Sequence, residues 1–337
     1  MATTPGLGGG GSVGVAFETV MGTYVPPTIF VPVLSESLEY TEEKYLSEQI
    51  RQQSIHTEAK PSYYHVEGDI EMEVDPELLV YFMYASRHII TKTGAATPWT
   101  YTFAPSSAGT ASTAASGPTV PRTLSITIVR NGEVFGYTGC TVGGYEFSID
   151  TDSGVLMCTL NIVGLSEAVA ADPTEVWVAP KLYGADAHVL KLDVAGTAPA
   201  FAAAADVNHN GITFGVNFNA EALNRIRQDR GASYIAYGIT EGTISAEIDF
   251  LTRADYDFFK ATNKRAIRVS SLTGGATLAA ATHGVELQAN NYFFNSYSVP
   301  LEGMGDLVSA DTEGRMLGIA GGNAYLITVK AQVTTIT

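Results

Sequence analysis

The chain has 337 residues, 45% of them hydrophobic and 16% charged, with a formal net charge of −16. That length suits two ordinary domains with a sizeable core. The charge excludes a protein that grips nucleic acid, because gripping phosphates takes Lys and Arg; it does not exclude one that nucleic acid passes by.

The acid is unevenly spread. Residues 1–169 hold 18 Asp/Glu and 7 Lys/Arg, a balance of −11, which leaves −5 for the rest; residues 36–77 alone hold 12 acids and 3 bases, −9. Residues 1–12, with the run Gly8–Gly11, read as a flexible arm. They carry neither the basic region nor the apolar block of a signal peptide. Val13–Val33 reads as extended, with Pro26, Pro27 and Pro32 opposing helix. Leu34–Tyr40 alternates loosely, and Thr41–Ser62, rich in Glu, Gln and Lys, reads as a long loop with at most one helical turn.

Val66–Asp75 is the most informative stretch. Read as a strand, it places Val66, Gly68, Ile70, Met72 and Val74 on one face and Glu67, Asp69, Glu71, Glu73 and Asp75 on the other. Neighbouring carboxylates then sit about 6.7 Å apart and repel by about 0.6 kcal/mol per pair in water. A folded domain absorbs that; burying them without partners would cost far more. One face must therefore cover a core while the other meets water. Pro76–Ala85 follows as a short buried helix, with Asp75 suited to cap it and Pro76 suited to its first position.

Thr93–Pro121, rich in Gly, Ala, Ser, Thr and Pro, reads mostly as loop. Strands are expected at Leu124–Arg130, Val134–Thr141, Tyr145–Asp150 and Val155–Val163, separated by turns at Asn131-Gly132, Gly143-Gly144 and Asp152-Ser153-Gly154. The second half repeats this order. Gly211–Phe218 alternates, Asn219–Ser233 is a charged loop, and Glu241–Phe250 aligns on its Glu-Gly pair with Glu67-Gly68. Gly242, Ile244, Ala246 and Ile248 then match Gly68, Ile70, Met72 and Val74, and the other face carries Glu241, Thr243, Ser245, Glu247 and Asp249. A helix follows, with Thr252 and Asp255 placed as a capping box, and further strands are expected at Gly284–Ala289, Tyr292–Leu301 and Ala324–Val333. The expected fold is mainly β, two tandem copies of a β-sandwich domain with one short α-helix each. The boundaries fall at 1–165, a linker at 166–180, and 181–337.

Three features together resemble a bacteriophage tail tube protein, the major tail protein of a phage with a long, non-contractile tail. They are Gly14–Val33 leading to Ser35-Glu36-Ser37-Leu38, Val66–Pro76 running into the helix, and Tyr137–Cys140 followed by Val155–Gly164. The resemblance covers the first half well and the second only through the repeat. It implies a structural virion protein, not an enzyme, assembled in the host bacterial cytoplasm. Inner sheets of neighbouring copies would form a β-barrel lumen on oligomerisation, and rings would stack into a tube. Two copies per chain favour a trimeric ring over a hexameric one. Twenty-four inner strands at about 4.8 Å spacing and 40° tilt give a backbone diameter of about 48 Å, wide enough for a duplex. Implied partners are the chain itself, a tape measure protein and tail terminator and tip proteins, with genomic DNA passing unbound and no membrane involved. Glu67, Asp69, Glu71, Glu73, Asp75, Glu241, Glu247 and Asp249 would face the lumen. Glu42, Glu43 and Glu48 in the first loop oppose Arg225, Arg227 and Arg230 in the second, a contrast suited to ring stacking. A baseplate or hub protein of the same fold is one alternative; a carbohydrate-binding β-sandwich adhesin is another.

Other chemistry finds little footing. Cys140 and Cys158 read as small buried thiols rather than a disulfide scaffold. Asp150–Gly154 hints at a calcium loop but lacks the remaining ligands and fits a hairpin turn. The six histidines (His56, His65, His88, His188, His209, His283) show no metal spacing and read as surface or loop residues. Carboxylates two apart could serve a glycosidase, yet five in a row form a field, not a poised pair. No cofactor motif is present.

Overall fold

The computed structural model describes residues 11–47, 58–105, 122–171, 173–226, 230–250, 253–274, 277–300 and 308–333. The chain is mainly β, with two short helices among the described residues, α1 (Pro76–Tyr84) and α2 (Ala254–Lys260).

One sheet organises the molecule. From its first rim inward come Ser35–Glu36 and Glu39–Leu46, acting as one interrupted strand, then Ala59–Glu73, Met157–Gly164 and the far half of Glu133–Asp150. The sheet continues through His209–Asn217, Glu241–Asp249, Ser309–Met316 and the far half of His283–Ser298. The two sets of four meet where Glu133–Asp150 pairs antiparallel with His209–Asn217, Phe147 opposite Phe214.

A second layer covers one face. Over the first half it comprises Ile29–Val31, Ser12–Phe17, Leu124–Arg130, the near half of Glu133–Asp150 and Ser166–Val169. Over the second it comprises Asp206–Val207, His188–Val194, Arg265–Thr273, the near half of His283–Ser298 and Tyr325–Ala331. In each half one long strand therefore runs in both layers. The corner of the first lies near Gly139, which has φ +64° and no room for a Cβ beside Leu165. The pairing order of the two halves matches strand for strand.

The core fills the space between layers. Val66, Ile70 and Met72 point into it with Leu160, Ile162, Phe147, Phe214 and Ile244, all buried. α1 forms as expected: Asp75 Oδ1 accepts from the Glu77 N–H at 2.7 Å and the Leu78 N–H at 3.4 Å. It buries Leu78, Leu79, Val80, Phe82 and Met83. α2 departs from expectation. It starts later, behind Arg253, which makes no side-chain cap; Thr252 lies outside the described residues.

Three sequence expectations are corrected. Thr41–Ser62 is not simply a loop, because Glu39–Leu46 pairs with Ala59–Glu67 as a hairpin. Its arms run beyond the core and stay exposed or half-exposed on both faces, so the alternation that marks a half-buried strand is missing. Second, the described part of Thr93–Pro121 is not all loop: His88–Thr93 and Trp99–Pro105 form a hairpin that pairs with Tyr325–Ala331. Tyr101 and Phe103 anchor it in the core, while 106–121 lies outside the described residues. Third, His88 is no surface residue but fully buried. Burial pulls its pKa down to about 3, with Arg122 adding to the effect. Its ring meets Ser86 Oγ at Nδ1, and Tyr145 and Tyr325 hydroxyls at Nε2, at 3.2 and 3.3 Å.

Both cysteines are free and buried, and burial pushes both thiols upward. Among the described residues no helix is long and apolar enough to cross a membrane.

Candidate functional site

The uncovered face of the eight-stranded sheet is the candidate site. Strand alternation fixes what it displays. Glu67 and Asp69 are exposed and Glu71 and Glu73 half-buried at its edge, while Val66, Ile70 and Met72 between them are buried. Along Glu241–Asp249 burial alternates in the same way, leaving Glu241, Glu247 and Asp249 on the open side. Asp75 is the exception. It lies past the strand, is 2% exposed, and spends its second oxygen on the Lys181 N–H at 2.8 Å. A carboxylate committed to a helix cap and a neighbouring backbone cannot also face solvent, so Asp75 leaves the expected set.

Four carboxylates join the face that the sequence reading missed. Glu39 lies opposite Glu67. Glu146 lies opposite Thr159 on one side and Gly215 on the other. Asp311 and Glu313 lie opposite Glu247 and Ser245. Glu146 sits in the expected strand Tyr145–Asp150 at an alternate position, so its orientation was readable. Asp311 and Glu313 were hidden because Ser309–Met316 buries Ala310, Thr312 and Gly314, small residues that do not advertise a strand.

The face is therefore a field of negative charge. Rows across the sheet interleave acids with small neutral residues, as in Ser35, Glu71, Thr159, Glu146, Gly215, Thr243 and Arg315. Arg315 is a cation on this face. The acids are steadied by neutral donors: Ser35 Oγ donates to Glu71 at 2.9 Å, Asn161 Nδ2 to Asp69 at 3.1 Å, Asn210 Nδ2 to Glu247 at 2.9 Å and Asn208 Nδ2 to Asp249 at 3.0 Å. These bonds fix the carboxylates without cancelling their charge. Two like-charged pairs, Glu39 with Glu67 and Glu247 with Asp311, stand directly opposite one another, an arrangement that costs stability. Among the described residues no cluster of His, Cys, Asp and Glu could hold a metal ion.

The charged loops contact each other within the chain. Arg230 pairs with Glu42 inside the chain and lies over the Tyr64 ring. The two hairpins lie side by side, which brings opposite charges into contact locally. Arg225 engages the Tyr234 hydroxyl, Glu43 is exposed, and Glu48 and Arg227 lie outside the described residues.

A family model described as phage tail tube protein matches residues 8–326. The chain belongs to the phage tail tube protein family. No curated protein matches it. As a tail tube protein it is a structural component of a virion that self-assembles into a tube.

Proposed function

We propose that this chain is the tube subunit of a long, non-contractile phage tail, built from two tandem tube domains and assembling as trimeric rings. The observation that carries this reading is the eight-stranded sheet. Each half supplies four strands in the same order, and their shared open face carries many more carboxylates than cations among the described residues. Three such chains supply twenty-four strands, giving a backbone diameter of about 48 Å. In this reading Glu39, Glu67, Asp69, Glu71, Glu73, Glu146, Glu241, Glu247, Asp249, Asp311 and Glu313 line the lumen. DNA phosphates nearing that wall are repelled within a Debye length of about 8 Å, so the genome finds no place to stick during ejection. Tape measure, terminator and tip proteins complete the tail, which is assembled in the host cytoplasm.

Two measurements test this. Negative-stain microscopy of the purified chain is expected to show rings of three chains or stacked tubes; a chain that stays monomeric when concentrated overturns the subunit reading. A phage carrying Glu67→Lys, Glu71→Lys, Glu146→Lys and Glu313→Lys together is expected to form tails yet eject its DNA slowly or incompletely. Ejection at the parental rate from intact tails would remove the lumen role from this face.

A further inference from the structure

The seam inside the chain serves as a template for one outside it. At the internal seam Ser148 lies opposite Thr213, Phe147 opposite Phe214 and Glu146 opposite Gly215. Both strands of that seam have counterparts in the other half. His283–Ser298 corresponds to Glu133–Asp150: Ser298 faces Asp311, which faces Glu247, just as Ser148 faces Met157, which faces Glu73. Ser35–Glu36 corresponds to His209–Asn217, since Ser35 faces Glu71 as Thr213 faces Ser245. The two counterparts are the two rims of the eight-stranded sheet. Among the described residues each rim is paired on one side only.

We propose that the rim at 293–298 pairs antiparallel with the rim at 33–39 of a second copy, with Ser298 opposite Ser35 and Ser296 opposite Ser37. The inference rests on the reading of the chain as a duplicated tube domain and adds the contacting edges and their register. That register is transferred from the internal seam, where Ser148 and Glu146 hold the places of Ser298 and Ser296. Thr213 and Gly215 hold those of Ser35 and Ser37. All four serines are exposed. They are small and uncharged, so two strands of this acidic face approach there without setting carboxylate against carboxylate.

A separate feature points the same way. α1 is covered by the second half, where it packs on Tyr325–Ala331. α2 has no buried residue. Its half-buried Tyr256 and Phe259 pack on the buried Phe294 and Tyr297 at the rim. The counterpart of Tyr325–Ala331 is Ser166–Val169, whose Val169 is 100% exposed. The same displacement that carries Ser35 of a second copy to Ser298 carries its 166–169 strand towards α2. One movement thus covers both unpartnered surfaces.

The test is cross-strand cysteine pairing in assembled protein. In a Ser298→Cys, Ser35→Cys variant the two thiols of one chain lie about 34 Å apart across the sheet, seven strand spacings of about 4.8 Å, so any bond between them joins different chains. The native thiols are buried and do not compete. Mild oxidation of tubes is expected to give covalent multimers on a non-reducing gel, at least tenfold more than a Ser298→Cys, Glu39→Cys control. The control pair is displaced by four residues, about 13 Å. Equal linkage in the control, or tubes visible by microscopy without in-register linkage, overturns the pairing and leaves the tube reading standing. A wild-type chain that forms neither ring nor tube overturns both. Hydrogen exchange on the wild-type chain provides a variant-free check. Amides of 33–39, 293–298 and α2 are expected to slow on assembly, and unchanged exchange there also overturns the pairing.

Discussion

Phe147 and Phe214 stand directly opposite each other across the seam between the halves, each 1% exposed. Backbone pairing and core packing thus coincide at one point. Truncating either ring leaves a cavity shared by both halves. Phe214→Ala is expected to destabilise the chain by about 3–5 kcal/mol. Urea unfolding followed by both fluorescence and circular dichroism checks this. Because the cavity opens on both sides, the two probes should still report one transition; separate transitions would mean the halves unfold independently.

Removing a carboxylate from the open face should help the fold. Glu247 and Asp311 face each other with like charge. Asp311→Asn is expected to raise stability by about 0.2–1 kcal/mol at low salt, with the gain shrinking as salt screens the pair. Thermal melts at two ionic strengths measure it. A loss of stability would show that Asp311 is held by attraction rather than tolerated.

Asp75 makes a contrasting case. Its carboxylate caps α1 and binds the Lys181 backbone, so it serves the fold and not the charged face. Asp75→Ala is expected to cost about 1–2 kcal/mol, while the exposed Glu67→Ala should change stability by no more than about 0.5 kcal/mol. The pair of variants, compared by chemical denaturation, separates a structural acid from a surface one.

His88 predicts a pH dependence. Its folded pKa is lowered to about 3 from an unfolded value of about 6.5. Between those values the unfolded chain binds the extra proton, so stability falls as pH drops from 6.5 towards 3 and is fully present above 6.5. The slope from this group approaches about 1.4 kcal/mol per pH unit. Subtracting the stability–pH curve of His88→Gln from that of the wild type should isolate it; a flat difference would refute the assignment.

The sequence carried the two-faced strands because their alternation is strong, large apolar residues against acids. It carried α1 for a similar reason, since Asp75 and Pro76 are unambiguous start signals. What it concealed has physical causes. Ser309–Met316 buries side chains no larger than threonine, and Gly314 lies where a Cβ would be 2.2 Å from the Phe293 carbonyl oxygen. Burial there comes from close backbone approach, not hydrophobic periodicity. The Trp99–Pro105 strand alternates clearly, but only one of its partners, His88–Thr93, is local; the other lies more than two hundred residues away, and the polar sequence after it reads as loop. Glu42 and Arg230 were visible as charged residues; that they meet each other depends on how two hairpins lean together.

The strands Glu133–Asp150 and His283–Ser298 each belong to both layers of the molecule. A load pressing on the charged surface therefore reaches the second layer along covalent bonds, not merely through side-chain contacts. Such a fold resists delamination: to part its two skins, a strand must be broken or unzipped along its length.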